Sequence, residues 1–360
     1  MYRTIGVLGG GQLGRMMALA GYPLGVQCLF YDPSSEACAG HVAPLLAYPY
    51  EDTHALSQLA ARCEVITYEF ENVPVESARW LAERVPVRPT PEALHAFQDR
   101  LMEKQTLQAH GVPVPTFAPI DPQNPRTALE VVGLPAVIKT RRFGYDGKGQ
   151  AVVKTESEFV EAVARFGAHL LIAEAFVPFE REVSIIAVRG LDGTFAFYPL
   201  VENHHREGIL YRSIAPAPNI TPALQQQAER HARALMEALD YVGVMTIEWF
   251  ECNGQLLANE VAPRVHNSGH WTIEGAHTSQ FENHLRAILG LPLGSTAPKG
   301  YMVMQNILGD LPDPAKVLSH PRAKLHLYGK APKPKRKLGH ITWCFDTPEE
   351  RERFLSEALH

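Results

Sequence analysis

The run Leu256-Leu257-Ala258-Asn259-Glu260-Val261-Ala262-Pro263-Arg264-Val265-His266-Asn267-Ser268-Gly269-His270-Trp271 decides how this chain is read. Its apolar opening has the character of a strand. Within a few residues it then presents a carboxylate, a guanidinium, two imidazoles, two amides and a hydroxyl. Such groups are costly to bury without partners, and so dense a set beyond a strand marks a site. A carboxylate beside an arginine suits a metal and an anion held together. That points to a metal-bound nucleotide and to a group activated by phosphorylation.

Immediately upstream, residues 244–250 and 255–261 read as two strands joined by Glu251-Cys252-Asn253-Gly254. Asn-Gly suggests a two-residue turn. That register would pair Glu248 with Asn259 and send Glu248 and Glu260 to opposite faces. A loop of odd length, with Gly254 left-handed beside a bulge, would put both carboxylates on one face. A magnesium site shared by Glu248 and Glu260 is expected to require that second arrangement, since magnesium prefers hard oxygen ligands bridging to substrate phosphates. Glu248 lies between Met245-Thr246-Ile247 and Trp249-Phe250, a poor setting for a surface glutamate.

Two glycine-rich motifs lie farther back. Lys139-Thr140-Arg141-Arg142-Phe143-Gly144-Tyr145-Asp146-Gly147-Lys148-Gly149-Gln150 holds three glycines and four cations between two short strands. It is not a Walker loop, which opens a helix. A glycine-rich hairpin of this kind can lie over a polyphosphate, its N–H groups approaching closely where no Cβ intervenes. Lys139, ending an apolar strand, is placed to fix a phosphate as a point charge. The earlier motif, Gly9-Gly10-Gly11-Gln12-Leu13-Gly14, has GxGxxG spacing between a strand and a helix, with Asp32 where a ribose-binding acid would sit. Alone it reads as a dehydrogenase fingerprint. Nothing later in the chain resembles a hydride-transfer site, so the turn is expected instead to take an anion, such as a substrate phosphate or ribose edge.

Ile172 through Val177 leaves a strand into a loop whose backbone can meet an adenine, and Glu182 can take ribose hydroxyls. His204 and His205 are adjacent on a strand and face opposite ways, so a single contact by His205 is expected rather than a metal pair. The basic run Lys330, Lys333, Lys335, Arg336 and Lys337 suits one anionic group such as a sugar phosphate better than a nucleic acid, given a net charge of -5. Ser268-Gly269-His270 lacks a nucleophile-elbow context.

Strands alternating with helices over the first hundred or so residues predict a parallel sheet with helices on both faces. A helix over 99–110, closed by Gly111, leads into a proline-rich connector, residues 113–125, then a small α+β unit. A long helix over 222–239 and a helix over 279–289 follow, and the tail from Tyr301 reads as a small β unit. The fold class is therefore α/β and α+β, in three domains: 1–105, 106–180, and 181–360 with the β unit from about 300. A length of 360 residues with 46% hydrophobic content suits a soluble multidomain protein. Five scattered cysteines without a CxxC pair suggest reduced thiols in the cytoplasm. No signal peptide or membrane span is expected.

With these residues the chain resembles the ATP-grasp enzymes, and among them the 5-(carboxyamino)imidazole ribonucleotide synthases of purine biosynthesis. The resemblance runs over nearly the whole length. It rests on Gly9 to Met16, Tyr68-Glu69-Phe70-Glu71-Asn72, Gly144 to Gln150, Asn259 to Trp271 and Arg336-Lys337-Leu338-Gly339-His340. It implies a three-domain ATP-grasp fold with a Rossmann-like N-terminal domain, a homodimer, and a ligase joining ATP, bicarbonate and aminoimidazole ribonucleotide through carboxyphosphate. By the same resemblance Arg100, Lys139, Gly144 to Gln150, Glu174, Ala175, Phe176, Val177, Glu182, His205, Asn259 and Glu260 match ATP-site positions. Glu248 and Glu260 match magnesium ligands. Arg264, His266 and Asn267 match the residues around carboxyphosphate, and Tyr145, Asp146 and Lys148 the loop that closes over it. Gln12, Leu13, Glu69, Lys330 and Arg336 match the ribonucleotide site. The chain departs from the pattern at Ala262, where many ATP-grasp enzymes have asparagine, and at Lys333, where arginine is frequent. A related ATP-grasp reading, with formate and glycinamide ribonucleotide, is disfavoured by Tyr145-Asp146.

Overall fold

Parallel pairing organises the first hundred residues of the computed structural model, which describes residues 3–144 and 149–357. The strands β1 (Arg3–Leu8), β2 (Val26–Asp32), β3 (Leu45–Ala47) and β4 (Val65–Tyr68) lie in the order β3-β2-β1-β4, all parallel. Continuous apolar runs in β1 and β4 follow from burial on both faces.

The central unit is a four-stranded sheet of β5 (Phe117–Ile120), β6 (Ala136–Thr140), β7 (Gln150–Val153) and β8 (Leu171–Ala175), in the order β5-β8-β6-β7. Its first strand falls inside the stretch read from sequence as a connector. Pro119 is tolerated because β5 is an edge strand, pairing within this sheet only with β8.

The rest of the chain builds a nine-stranded sheet. Its members are β9 (Arg181–Arg189), β10 (Phe195–Phe197), β11 (Val201–Arg206), β12 (Ile209–Ala215), β13 (Gly243–Cys252), β14 (Gln255–Ala262), β15 (Tyr301–Leu308), β16 (Ala323–Leu327) and β17 (Lys337–Phe345). The order is β14-β13-β9-β11-β12-β15-β17-β16, with β10 on β9. The strands beyond residue 300 thus extend this sheet through the β12–β15 ladder. The strand expected over 194–200 shortens to β10, which ends at Phe197; just beyond it Tyr198 N still donates to Ile186 O of β9.

The first unit docks on the nine-stranded one through the helix Gln280–Ile288. Arg88 and Arg3 donate to the last carbonyls at this helix's C-terminal end, Ile288 O at 2.7 Å and Leu289 O at 3.1 Å. His284, fully buried, bridges the units: Val244 N donates to its Nδ1 at 3.1 Å, so Nε2–H faces Thr67 Oγ1 at 2.9 Å. Burial pulls His284 down to about 4. Because the folded state resists protonation, the stability His284 contributes is complete above the unfolded value of 6.5 and is lost as pH falls toward 4. Urea unfolding of the wild type across that range should show the loss, up to about 3 kcal/mol from this site. His284→Gln should lower stability at pH 7.5 by about 1–2 kcal/mol and flatten the acid slope; an unchanged slope would contradict the assignment.

Candidate active site

The hairpin of β13 and β14 carries the two carboxylates, and its geometry differs from the sequence expectation in an instructive way. The turn is the two-residue kind after all. Cys252 pairs with Gln255, and Asn253 and Gly254 have φ of 50° and 70°, as a type I′ turn requires. Yet Glu248 stands directly opposite Glu260. The register shifts between Glu248 and Trp249, where Trp249 pairs with Ala258 and Asn259 is the extra residue. The bulge therefore exists, but it lies up the strand rather than at the turn.

That bulge is held from outside the sheet. β14 is an edge strand, so its outer backbone groups need other partners. The helix Arg100–Ala109 supplies them. Lys104 Nζ donates to Ala258 O at 3.1 Å and Asn259 O at 2.6 Å, Glu103 accepts from Val261 N at 2.6 Å, and Arg100 donates to Glu260 Oε2 at 3.1 Å. The helix itself starts at Asp99, which caps Leu101 N at 2.9 Å and pairs with Arg141.

From Asn259 a polar chain runs to the central sheet. Lys139 Nζ lies 3.2 Å from Asn259 Oδ1 and 2.9 Å from Glu174 Oε2. Arg100 also donates to Gly144 O at 3.3 Å, tying the glycine-rich hairpin to the same place. Gly149 has φ +73°, and a Cβ there would meet Thr140 Oγ1 at 2.4 Å, so the hairpin closes only with glycine. Tyr145, Asp146, Gly147 and Lys148 lie outside the described residues.

On the other side, His205, Gly208, Leu210, Glu248, Glu260, His266, Asn267 and Lys337 line a small cavity of about 80 Å³. His266 Nε2 is 3.1 Å from Glu248 Oε1, and its Nδ1 accepts from Ser268 N at 3.2 Å. A backbone N–H can only donate, so the ring proton sits on Nε2 and points at Glu248. Behind it, Ser268 Oγ, Ser184 Oγ, Asn203 and Ser213 form a buried chain with contacts of 2.8 to 3.0 Å. Burial and the neighbouring Arg264 pull His266 down to about 3, so it serves as a neutral donor. Burial and Glu260 push Glu248 up. Burial acts the same way on Glu260, but Arg100 and Lys139 overcome it and hold Glu260 down. Two opposed carboxylates, one of them short of positive charge, make an oxygen donor set that fits a magnesium ion. Among the described residues no group of three or more His, Cys, Asp or Glu side chains could hold a metal. A magnesium ion here would therefore complete its shell with phosphate oxygens and water.

Family models match three consecutive segments of the chain: a ribonucleotide synthetase preATP-grasp domain over residues 2–98, an ATP-grasp domain over 105–281 and a phosphoribosylaminoimidazole carboxylase C-terminal domain over 302–353. The N5-carboxyaminoimidazole ribonucleotide synthase of Pseudomonas aeruginosa is 50% identical over 358 residues, 99% of each chain. The chain belongs to the N5-carboxyaminoimidazole ribonucleotide synthase family of ATP-grasp enzymes. The crystal structure of N5-carboxyaminoimidazole ribonucleotide synthetase from Thermus thermophilus superposes with a TM-score of 0.94 at 57% identity, covering 98% of this chain and 96% of that one. The Aspergillus clavatus N5-carboxyaminoimidazole synthase, solved with ADP and 5-aminoimidazole ribonucleotide, gives a TM-score of 0.91 at 32% identity, covering 99% and 98%.

Within this synthase-family fold the other candidate residues fall in distinct places. Glu182 and His205 pair with each other on β9 and β11, while His204 turns away to Glu202 at 2.8 Å. Ala175 and Phe176 spend their N–H groups on Thr116 O and Pro135 O, and Phe176 and Val177 begin the loop beyond β8. Gln150 pairs with Lys139 across the β6–β7 hairpin. Arg264 is bonded to Glu71, beyond β4 in the first unit, and Asn267 exchanges amide bonds with Asn306 at 2.7 and 3.0 Å. Arg336 donates to Ala331 O at 3.1 Å, near Lys330, which bonds Gln12. Leu13 is packed into the core.

The first glycine turn corrects an expectation. Three of its N–H groups are already taken within the chain: Gly10 N donates to Asp32 at 2.8 Å, and Gly11 N and Gly14 N donate to Glu69 at 2.7 and 3.0 Å. Glu69 occupies the place at the N-terminus of the helix Gln12–Gly21 that a pyrophosphate takes in a dehydrogenase. Gly9, with φ +97°, and Gly11 must lack side chains because a Cβ would meet Glu69 at 2.8 and 2.7 Å. Sequence reading also missed Lys104, Glu103 and the serine–asparagine chain. Their partners lie up to 158 residues away, and no local spacing announces them.

Proposed function

We propose that this chain carboxylates 5-aminoimidazole ribonucleotide with bicarbonate at the expense of ATP, giving 5-(carboxyamino)imidazole ribonucleotide, ADP and phosphate in purine biosynthesis. The observation that carries the reading is Glu248 opposite Glu260, flanked on one side by Lys139 and Arg100 and on the other by His266. That places a carboxylate pair between a cation set suited to a polyphosphate and a donor set suited to a smaller anion. The full-length similarity to a synthase solved with ADP and the ribonucleotide supports the same reading.

In this reading ATP lies between β8 and β14. The backbone of Glu174 to Val177 meets the adenine and Glu182 the ribose. Lys139, Arg100, His205 and the hairpin from Gly144 to Gln150 serve the phosphates. Glu248 and Glu260 hold magnesium, which when bound screens the phosphate charge. A bicarbonate oxygen attacks the γ-phosphorus and ADP leaves. Arg264, His266 and Asn267 bind the resulting carboxyphosphate and oppose the charge that develops on it. The exocyclic amine of the ribonucleotide then captures the carboxyl carbon, either of carboxyphosphate or of the carbon dioxide it releases; the C–O bond to phosphate breaks, phosphate departs and the amine gives up one proton. Gln12, Leu13, Glu69, Lys330 and Arg336 form the ribonucleotide side, and Tyr145, Asp146 and Lys148 the closing loop. Among the described residues no helix is long and apolar enough to cross a membrane; a cytoplasmic homodimer completes the proposal, and sedimentation of the purified protein tests the dimer. The decisive assay measures ADP release with ATP, magnesium and bicarbonate, with and without aminoimidazole ribonucleotide. Folded protein whose ADP release is not stimulated by that ribonucleotide would remove the proposal.

A further inference from the structure

Two lysines converge on one oxygen at the wall of the proposed nucleotide site. Glu174 Oε2 lies 2.9 Å from Lys139 Nζ and 3.5 Å from Lys104 Nζ, and all three residues are buried. The two ammonium groups are held differently. Lys139 projects from β6, and its other partner is the side chain of Asn259 at 3.2 Å; both contacts can be released by rotating side chains. Lys104 is wholly excluded from solvent and donates to two main-chain carbonyls of β14, at 2.6 and 3.1 Å. It cannot turn away without dislodging the bulge that sets Glu248 against Glu260.

We propose that Lys104 is a positioning residue, the standing counter-ion of Glu174 that lets Lys139 leave this carboxylate for a nucleotide phosphate. The proposal rests on the reading of the site as an ATP site. A phosphate arriving at Lys139 competes with Glu174 for the same ammonium. If Lys139 were the sole partner, its departure would strand a buried carboxylate, which is among the costliest changes a folded interior undergoes. With Lys104 fixed nearby, Glu174 keeps a cation whichever way Lys139 turns. Burial pulls Lys104 down, and Glu174 is the leading charge that raises it again; in return Lys104 and then Lys139 hold the Glu174 carboxyl down, against burial, at about 2.

The test is a calorimetric titration of ATP into four full-length proteins: wild type, K104M, E174Q and K104M/E174Q. Titration of aminoimidazole ribonucleotide and a melting curve accompany each. K104M is expected to weaken ATP binding by about tenfold or more and ribonucleotide binding by less than about threefold. In the E174Q background the same K104M change should alter ATP affinity by less than about threefold, because no carboxylate charge remains to be stranded. Equal losses in both backgrounds would mean that Lys104 serves only to brace β14, and would overturn the proposal, as would no loss in either. If K104M alone does not fold, E174Q and K104M/E174Q still decide: a tenfold difference between them overturns it. Wild-type protein that binds no ATP would overturn the site reading itself, a failure visible in the first titration and separate from the behaviour of the variants.

Discussion

Replacing Arg264 by alanine is expected to cut ribonucleotide-dependent ADP formation by about a thousandfold while leaving ATP affinity within about threefold. The split follows from where the guanidinium sits. It lies four residues beyond Glu260, past the end of β14, and is bonded to Glu71 of the first unit rather than to Glu174, Lys139 or Arg100. An anion between the two units would compete with Glu71 for it, whereas the nucleotide cations are held on the other side of Glu260. The variant also leaves Glu71 without the partner that, against burial, holds its carboxyl below the usual range, so it should melt lower as well. Removing one member of a buried pair costs about 3–5 kcal/mol, less where water reaches it. Adding Glu71→Gln should therefore restore much of the melting temperature and none of the activity. Steady-state assays, ATP titration and melting curves on the two proteins check this together; loss of ATP binding in the single variant would show that Arg264 serves the nucleotide instead.

How much of this was legible in the chain depends on how local each cause is. The parallel opening sheet, the glycine-rich hairpin between β6 and β7 and the helix Arg100–Ala109 follow from apolar periodicity and from caps within a few residues. The family resemblance identified the residues that gather around Glu260. What escaped is set by distant partners. Asn253-Gly254 does make the two-residue turn its composition favours, and nothing near it reveals the bulge at Asn259. That bulge exists because Glu103 and Lys104, some 155 residues earlier, satisfy the carbonyl and N–H groups it frees. The first glycine motif likewise has dinucleotide spacing, and only Glu69, 58 residues on, shows that a carboxylate of the chain itself sits against its helix N-terminus. Connector prolines misled for a related reason: Pro119 costs little on an edge strand, and edge position is a property of the sheet.

Glu248→Gln should make the magnesium-free protein more stable and the enzyme about a hundredfold slower or worse. The carboxylates of Glu248 and Glu260 face each other directly across the ladder, an arrangement that is unfavourable wherever both are charged and no cation intervenes. Glutamine removes the repulsion yet keeps a carbonyl oxygen to accept from His266 Nε2–H, so the cavity wall survives the change. A gain of about 1 kcal/mol, read as a rise of roughly 2 °C in melting temperature, is the expected size for a chain of this length. Magnesium and ATP then reverse the order. Saturating ligand at a hundred times its dissociation constant stabilises a protein by about 2.7 kcal/mol. The wild type should show that full response and the variant a reduced one, because the oxygen pair that attracts the ion is incomplete. A variant that melts below the metal-free wild type, or responds to magnesium and ATP as fully as it does, would mean the pair is held together for structure. The opposite outcome places the repulsion among the strains that a fold retains at its working site, since the same charge that opposes folding is what binds the ion.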